Sequence, residues 1–195
     1  MISRYRNSDP KISSSGWQRL TTALEFYENC GYTYSSVPWL VDRHTSILTC
    51  PDTGRLMGVP YHGDLVGSAE QGFLELNLSQ SPGSYVAITP CFRDEGREFG
   101  PTHRYTFMKV ELFRNDEVDA DSLMDVMTSA IQCMQMFLDP EDEANLVTVA
   151  TPEGFDINLN GLEVGSYGIR TVPWGKYIYG TGLAEPRFEL AMNRG

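Results

Sequence analysis

Apolar side chains recur along this chain in two rhythms, one near 3.6 residues and one near two, and each change of rhythm marks an element. Trp17, Leu20, Leu24 and Tyr27 keep helical spacing. Ser14 and Ser15 offer an N-cap for a helix starting near Gly16, and Gly31 offers its end. "YTYSSVPWLV" predicts a strand with Pro38 at an edge or break. Residues 42–62 predict short strands divided by turns such as "PDTG". "SAEQGFLELNLS" predicts a short helix. "SYVAITPCFRDE" and "YTFMKVELF" alternate as antiparallel partners. Asp119 to Leu138 predicts a helix, with Leu123, Val126, Met127, Ala130, Ile131, Met134 and Phe137 on one face. "GFDINLNGLEVGSYGIRT" predicts two strands joined by a type I′ turn at Asn160-Gly161. "YIYGTGLAEPRFELAM" predicts strand, glycine turn and helix. This order favours an α+β fold, an antiparallel β-sheet flanked by helices.

The 195 residues suit one domain spanning 1–195, and a chain of this size buries roughly 70% of its unfolded surface. The formal net charge is -11. Between Glu111 and Glu143 ten acidic residues face only Arg114, so the acidity belongs to one helix and its flanks. That distribution argues against a wide nucleic-acid footprint, which needs clustered Lys and Arg. Cys30, Cys50, Cys91 and Cys133 form no CxxC pair and stand apart from the three histidines. Reduced thiols and a cytoplasmic setting are expected. "MISRYRNSDPKISSSGW" has no apolar core of a signal peptide, and no run reaches the length of a membrane span.

Against this acidic background, "CFRDEGREFGPTHRYTFMKVELF" places Arg93, Glu95, Arg97, Glu98, His103, Arg104 and Lys109 between two apolar runs. Taken singly, its parts are common: surface Arg–carboxylate pairs, a loop histidine, a glycine turn before a helix in "GTGLAEPR", and Asp156 and Glu163 as strand residues. Their joint order carries more. "GYTYSSVP", then "FRDEG…HRYTFMKVELF", then "GTGLAEPRFELAM" resemble, in sequence, the three motifs of the class II aminoacyl-tRNA synthetase catalytic domain. "FDINLNGLEVGSYGIR" resembles the aspartyl and asparaginyl branch, and "LEVGSYGIR" also the related ammonia-dependent asparagine synthetase. Thr102 stands where the family usually has an arginine, Ala184 where it has a glycine, and "SAEQ" where the branch has "QSPQ".

The resemblance implies ATP and Mg²⁺ as cofactors, an amino acid as substrate, and a homodimer built on the first motif. Arg93 and Arg187 are the implied catalytic residues. Arg93 would hold the α-phosphate and the substrate carboxylate, and Glu95 would accept from the adenine amino group. Phe107 and Arg187 would sandwich the adenine, and His103 would reach the terminal phosphates. Asp156 and Glu163 would hold Mg²⁺. Gly180 and Gly182 would admit the nucleotide close to the backbone. Glu70 and Gln71 would receive the α-amino group, and Arg170 a side-chain carboxylate, which points to aspartate. Glu163 and Arg170 lie seven apart, so both reach one pocket only if the strand bulges near "GSYG".

Three functions fit these residues. One is an ATP-dependent ligase that forms an aminoacyl adenylate and transfers the acyl group to ammonia, a small amine or a macromolecular side group. That reading expects no anticodon-binding or editing domain, and no tRNA. The second is a minimal tRNA synthetase, and the third an inactive ligand-binding paralogue.

Overall fold

The computed structural model describes residues 11–50, 52–78, 81–96 and 99–194; the leading residues 1–10, and Arg97 and Glu98 of the charged loop, lie outside them. The first helix, α1 (Ser14–Asn29), starts earlier than the apolar spacing suggested. Its cap is Ser13, whose hydroxyl accepts from the Gly16 amide at 2.9 Å. Gly31 ends it with φ of +92°, a conformation that suits glycine. The expected strand then divides around Pro38. β1 (Thr33–Tyr34) joins one sheet and β2 (Leu40–Val41) another.

Residues 42–62 correct the expectation of strands throughout. Arg43–Thr49 is a helix, α2, because the Asp42 side chain caps it by accepting from the His44 amide at 2.7 Å. A 3₁₀ turn (Thr53–Arg55) and two strands follow, β3 (Met57–Val59) and β4 (Gly63–Leu65). With β2 they make a small antiparallel sheet in the order β2-β4-β3. α3 (Ala69–Glu75) is the short helix expected, capped by Ser68.

β5 (Ser84–Phe92) and β6 (Thr106–Arg114) pair antiparallel from Ser84↔Arg114 to Phe92↔Thr106. α4 (Ala120–Gln135) buries Leu123, Val126, Met127, Ala130 and Met134. A one-turn helix, α5 (Pro140–Glu143), leads to β7 (Leu146–Thr151), a strand the apolar rhythm did not reveal. β8 (Gly154–Leu159) and β9 (Leu162–Val172) turn at Asn160-Gly161, both at positive φ as a type I′ turn requires. β10 (Gly175–Glu185) runs unbroken through Gly180 and Gly182, where a glycine turn was expected. Then α6 (Arg187–Met192) closes the described chain.

The large sheet has seven strands in the order β1-β5-β6-β10-β9-β8-β7. All its pairs are antiparallel except β1 with β5, so the sheet is mixed rather than purely antiparallel. On one face α1, α4 and α6 cover a core that includes Leu20, Tyr27, Val110, Met127, Ile157, Tyr167, Ile178 and Phe188. On the other, α3 and Val37 cover Ala87, Phe113 and Tyr177 at one end, and the remainder opens as a cavity. No helix among the described residues is long and apolar enough to cross a membrane.

Candidate functional site

The open face of the large sheet is the floor of a cavity of about 480 Å³. Among the described residues its walls come from Arg93, Glu95 and residues 101–104, the β4–α3 junction, residues 49–50 and 52–56, and the start of α6. Arg55, Arg93, Arg104, Lys109, Arg170 and Arg187 line it, six of the twelve lysines and arginines among the described residues. Asp52, Glu70, Glu95, Glu111, Glu153 and Glu163 line it too, so the cavity is near neutral while the chain is strongly acidic.

Of the residues singled out from sequence, Arg93, Glu95, His103, Phe107, Glu163, Gly180, Arg187, Glu70, Gln71 and Arg170 all line this one cavity. Arg93 leaves β5 with its Nε donating to the Gly67 carbonyl at 3.1 Å, and its guanidinium lies 5.2 Å over the centre of the Phe107 ring. Buried Glu95 gives one oxygen to Arg55 at 2.6 Å. His103 is exposed at the loop, with Nδ1 3.1 Å from the Thr102 hydroxyl. Arg187, at the first position of α6, donates to the Thr102 carbonyl at 2.7 Å and lies 3.4 Å from Glu163.

Glu163 and Arg170 do share the cavity face. The ladder shifts between Ile157↔Gly165 and Asn158↔Glu163, which makes Val164 an extra residue and reverses the parity of the strand. The bulge sits at the start of the stretch where it was expected. Arg170 is held on three sides: its Nε is 3.2 Å from Glu70, Nη1 donates to the Thr49 carbonyl at 2.9 Å, and the guanidinium lies 4.9 Å over the Tyr179 ring. Buried Glu70 also accepts from the Tyr177 hydroxyl at 2.7 Å. Burial raises the Glu70 carboxyl above its ordinary range, against the pull of Arg170 and Tyr177.

Gly182 needs correction, and Gln71 and Asp156 sit differently from the other residues. Gln71 lines the cavity with its amide already committed, Oε1 accepting from the Gly67 amide at 2.7 Å and Nε2 donating to the Ser46 carbonyl at 3.2 Å. It ties the β4–α3 junction to α2, and one amide N–H and one lone pair of Oε1 remain for a ligand. Gly182 does not line the cavity. A Cβ there would come within 2.7 Å of the Tyr27 ring and 3.0 Å of Val110, so its missing side chain makes room for α1 on the opposite face. Asp156 is not among the cavity-lining residues either. It does share the face, because it pairs with Ser166, which lines the cavity.

Lys109 and Glu111 escaped the sequence reading as a unit, although the period of two from Phe107 puts all three on one face. Glu111 is buried beneath the cavity and accepts from Lys109 at 2.6 Å, from the Ser68 hydroxyl at 2.7 Å and from the Ala69 amide. Burial alone would raise its carboxyl. Lys109 and the two hydrogen bonds outweigh burial and hold it below the ordinary value. Glu111 thereby fixes the first turn of α3, which carries Glu70.

Among the described residues no group of three or more His, Cys, Asp or Glu is placed to hold a metal. A two-carboxylate oxygen site fits better. Asp156 and Asn158 alternate onto the cavity face, and Asn158 pairs with Glu163 across the ladder. The Asn158 Oδ1 is buried without a hydrogen-bond partner. An orphaned oxygen beside carboxylates suits a hard cation that also binds ligand oxygens.

No protein-family model matches the sequence, and neither does any curated protein sequence. Among solved structures, the fold is similar to seryl-tRNA synthetase from Pyrococcus horikoshii complexed with ATP (TM-score 0.67, 20% identity, 88% of this chain and 48% of that one). It is also similar to pyrrolysyl-tRNA synthetase from Desulfitobacterium hafniense (TM-score 0.66, 13% identity, 97% of this chain and 72% of that one). A further structure, PylSc from the same organism, has a TM-score of 0.65 at 14% identity, with 97% and 70% covered. The chain spans about half the length of the seryl enzyme. The chain therefore shares its fold with these synthetase structures, as the three motifs led one to expect.

Proposed function

We propose that this protein activates an amino acid with ATP and transfers the acyl group to an acceptor other than tRNA. The observation that carries the reading is the convergence of Arg93, Lys109, Arg170 and Arg187 on one cavity of an acidic chain. The fold is one it shares with a synthetase solved in complex with ATP. In the reaction a substrate carboxylate oxygen attacks the α-phosphorus, the bond to the β-phosphate oxygen breaks, and pyrophosphate leaves. Such chemistry depends on positioning and charge neutralisation more than on proton transfer.

Arg93 now rests on the Phe107 face where a base would stack. Nucleotide entry moves that guanidinium from the ring to the α-phosphate, and Phe107 and Arg187 then enclose the adenine. Glu95 accepts from the adenine amino group with the oxygen that Arg55 leaves, and Gly180 lets the backbone lie close. His103 meets the terminal phosphates. Asp156 and Glu163 hold Mg²⁺, which neutralises phosphate charge when bound. Glu163 then gives up its contact with Arg187.

Aspartate is the substrate we favour. Glu70 and Arg170 present adjacent negative and positive groups. An amino acid with an ammonium and a side-chain carboxylate can match both at once. Because Arg170 already has Glu70 and the Thr49 carbonyl, it rejects apolar amino acids less strongly than a bare guanidinium would. The acceptor is ammonia, a small amine or a macromolecular side group, in keeping with acidity gathered on α4 and α5. The chain works as a cytoplasmic homodimer through α1 and the strands after it, where Trp17, Tyr34 and Trp39 are exposed.

ATP–pyrophosphate exchange screened across the twenty amino acids tests the activation step. Exchange with aspartate is expected, and exchange with none of the twenty overturns the reading. Charging of bulk tRNA by the purified protein would transfer the acceptor assignment to tRNA. Sedimentation showing only a 21.9 kDa species at micromolar concentration would reject the dimer.

A further inference from the structure

Arg187 reaches the cavity from the first position of a helix of only six residues. So short a helix has little stability of its own, and its N-cap, Pro186, makes no side-chain capping bond. Something else must fix the direction in which Arg187 points. The neighbouring carboxylates show what does. Glu185, fully buried at the end of β10, accepts from the Glu189 amide of α6 at 3.3 Å through one oxygen. Its other oxygen accepts from Arg19 Nε of α1 at 2.7 Å. Arg19 Nη2 lies 3.3 Å from the Glu189 carboxylate, an ion pair without hydrogen-bond geometry, and that carboxylate accepts from the Ser13 hydroxyl at 2.7 Å.

We propose that Arg19 is a positioning residue for Arg187: it clamps Glu185 and Glu189 to α1 and so sets the α6 N-terminus from which Arg187 enters the cavity. A buried ion pair is weak evidence for stability, because desolvation consumes most of the attraction. Its better-attested use is to select one arrangement among several. Here the arrangement selected is the register of a short helix against a long one. Trp17, two residues before Arg19, is exposed on α1. A partner packed on that helix would therefore be coupled to Arg187 through the clamp.

This inference rests on the nucleotide-site reading above only for its consequence, and its test is read without nucleotide. Arg187 modification by phenylglyoxal is followed by peptide mass spectrometry in the parent, Arg19→Lys and Arg19→Met. Arg19→Met should raise the modification rate of Arg187 about tenfold, and Arg19→Lys should restore most of the protection. Glu185→Gln, which keeps the side-chain shape, serves if Arg19→Met does not fold, and should raise the rate in the same direction. An unchanged Arg187 rate in a variant whose melting temperature has fallen would show that the pair is structural only, and would overturn the proposal. In parallel, Arg19→Met should weaken ATP binding about tenfold in the parent and less than about twofold in an Arg187→Ala background. Equal losses in both backgrounds also overturn it. Failure of the parent to bind ATP rejects the nucleotide-site reading, while the modification rates still decide the positioning role.

Discussion

The two faces of the large sheet are made from alternate residues of the same strands and obey different rules. On the helix face Val86, Val110, Leu112, Ile157, Leu159 and Ile178 pack against α1, α4 and α6. The polar atoms of its two large tyrosines are spent on backbone: Tyr27 donates to the Gly182 carbonyl at 3.1 Å and Tyr167 to the Thr181 carbonyl. The cavity face presents Arg93, Lys109, Glu111, Glu163 and Arg170, and nearly every charge there meets another. Apolar packing is indifferent to pH and to ligands. Paired charges beside an opening are responsive to both, and they can exchange a protein partner for a ligand at modest cost. Stability and chemistry are thus divided by the alternation of side chains along each strand, with its phase reset at the Val164 bulge.

Arg93→Ala attacks the cavity face alone and should have the largest effect. Losing one preorganised donor to developing charge typically costs about 10²–10³ in rate. Pyrophosphate exchange should fall by that factor while the melting temperature stays near the parent value. A variant that exchanges normally would remove Arg93 from the site.

Ile157→Ala probes the helix face one residue from Asp156. Ile157 is fully buried, so truncation should cost about 2–5 kcal/mol, read from urea unfolding. The folded fraction should bind ATP as the parent does. Asp156→Asn, its neighbour on the other face, should reverse the pattern, with stability nearly unchanged and the magnesium requirement raised on the order of tenfold. Unchanged magnesium dependence in both Asp156→Asn and Glu163→Gln would make these plain strand residues, and the division between the faces would lose its metal arm.

Much of the helix face was legible in sequence because burial imposes a period. α1, α4 and the β5–β6 pair follow from spacing, and the Asn160-Gly161 turn follows from backbone angles that few residues adopt. The failures have physical causes. α2 is polar and β-branched, and only the Asp42 cap and contacts such as Thr45 to Glu75 at 2.6 Å make it helical. β7 lies at the sheet edge with Val147 and Val149 exposed, so no face of it is marked by burial. Gly180 and Gly182 looked like a turn, yet their missing side chains leave room for the Tyr167 and Tyr27 rings, a demand made from distant segments. Site residues were found where three motifs occurred in order.

A smaller effect on stability than that of Ile157→Ala should come from the residue that joins the two rules, buried Glu111. It is as enclosed as the helix-face core, yet it carries a charge. Its carboxyl is held below the ordinary value, so its contribution to stability is present above that value and is lost as pH falls through the depressed one. Lys109, Cys91 and Glu70 are the titratable groups that face it. Cys91, pushed up to about 12 by burial, stays protonated throughout the acid range. Glu70 is shifted in the opposite direction by burial, so the parent curve alone mixes the two carboxyls. The difference between parent and Glu111→Gln reports the Glu111 carboxyl together with the part of the Glu70 shift that the Glu111 charge causes. Glutamine keeps one acceptor oxygen, enough for Ser68 or for the Ala69 amide but not for both, and loses the charge that pairs with Lys109. At pH 7 the variant should be less stable by about 1.5–3 kcal/mol, the usual worth of a hydrogen bond to a charged group after compensation. As pH falls below about 4 the two unfolding curves should converge. A gap that stays constant from pH 7 to pH 3 would mean that Glu111 acts through shape alone, and it would place this carboxylate with the apolar face rather than with the cavity.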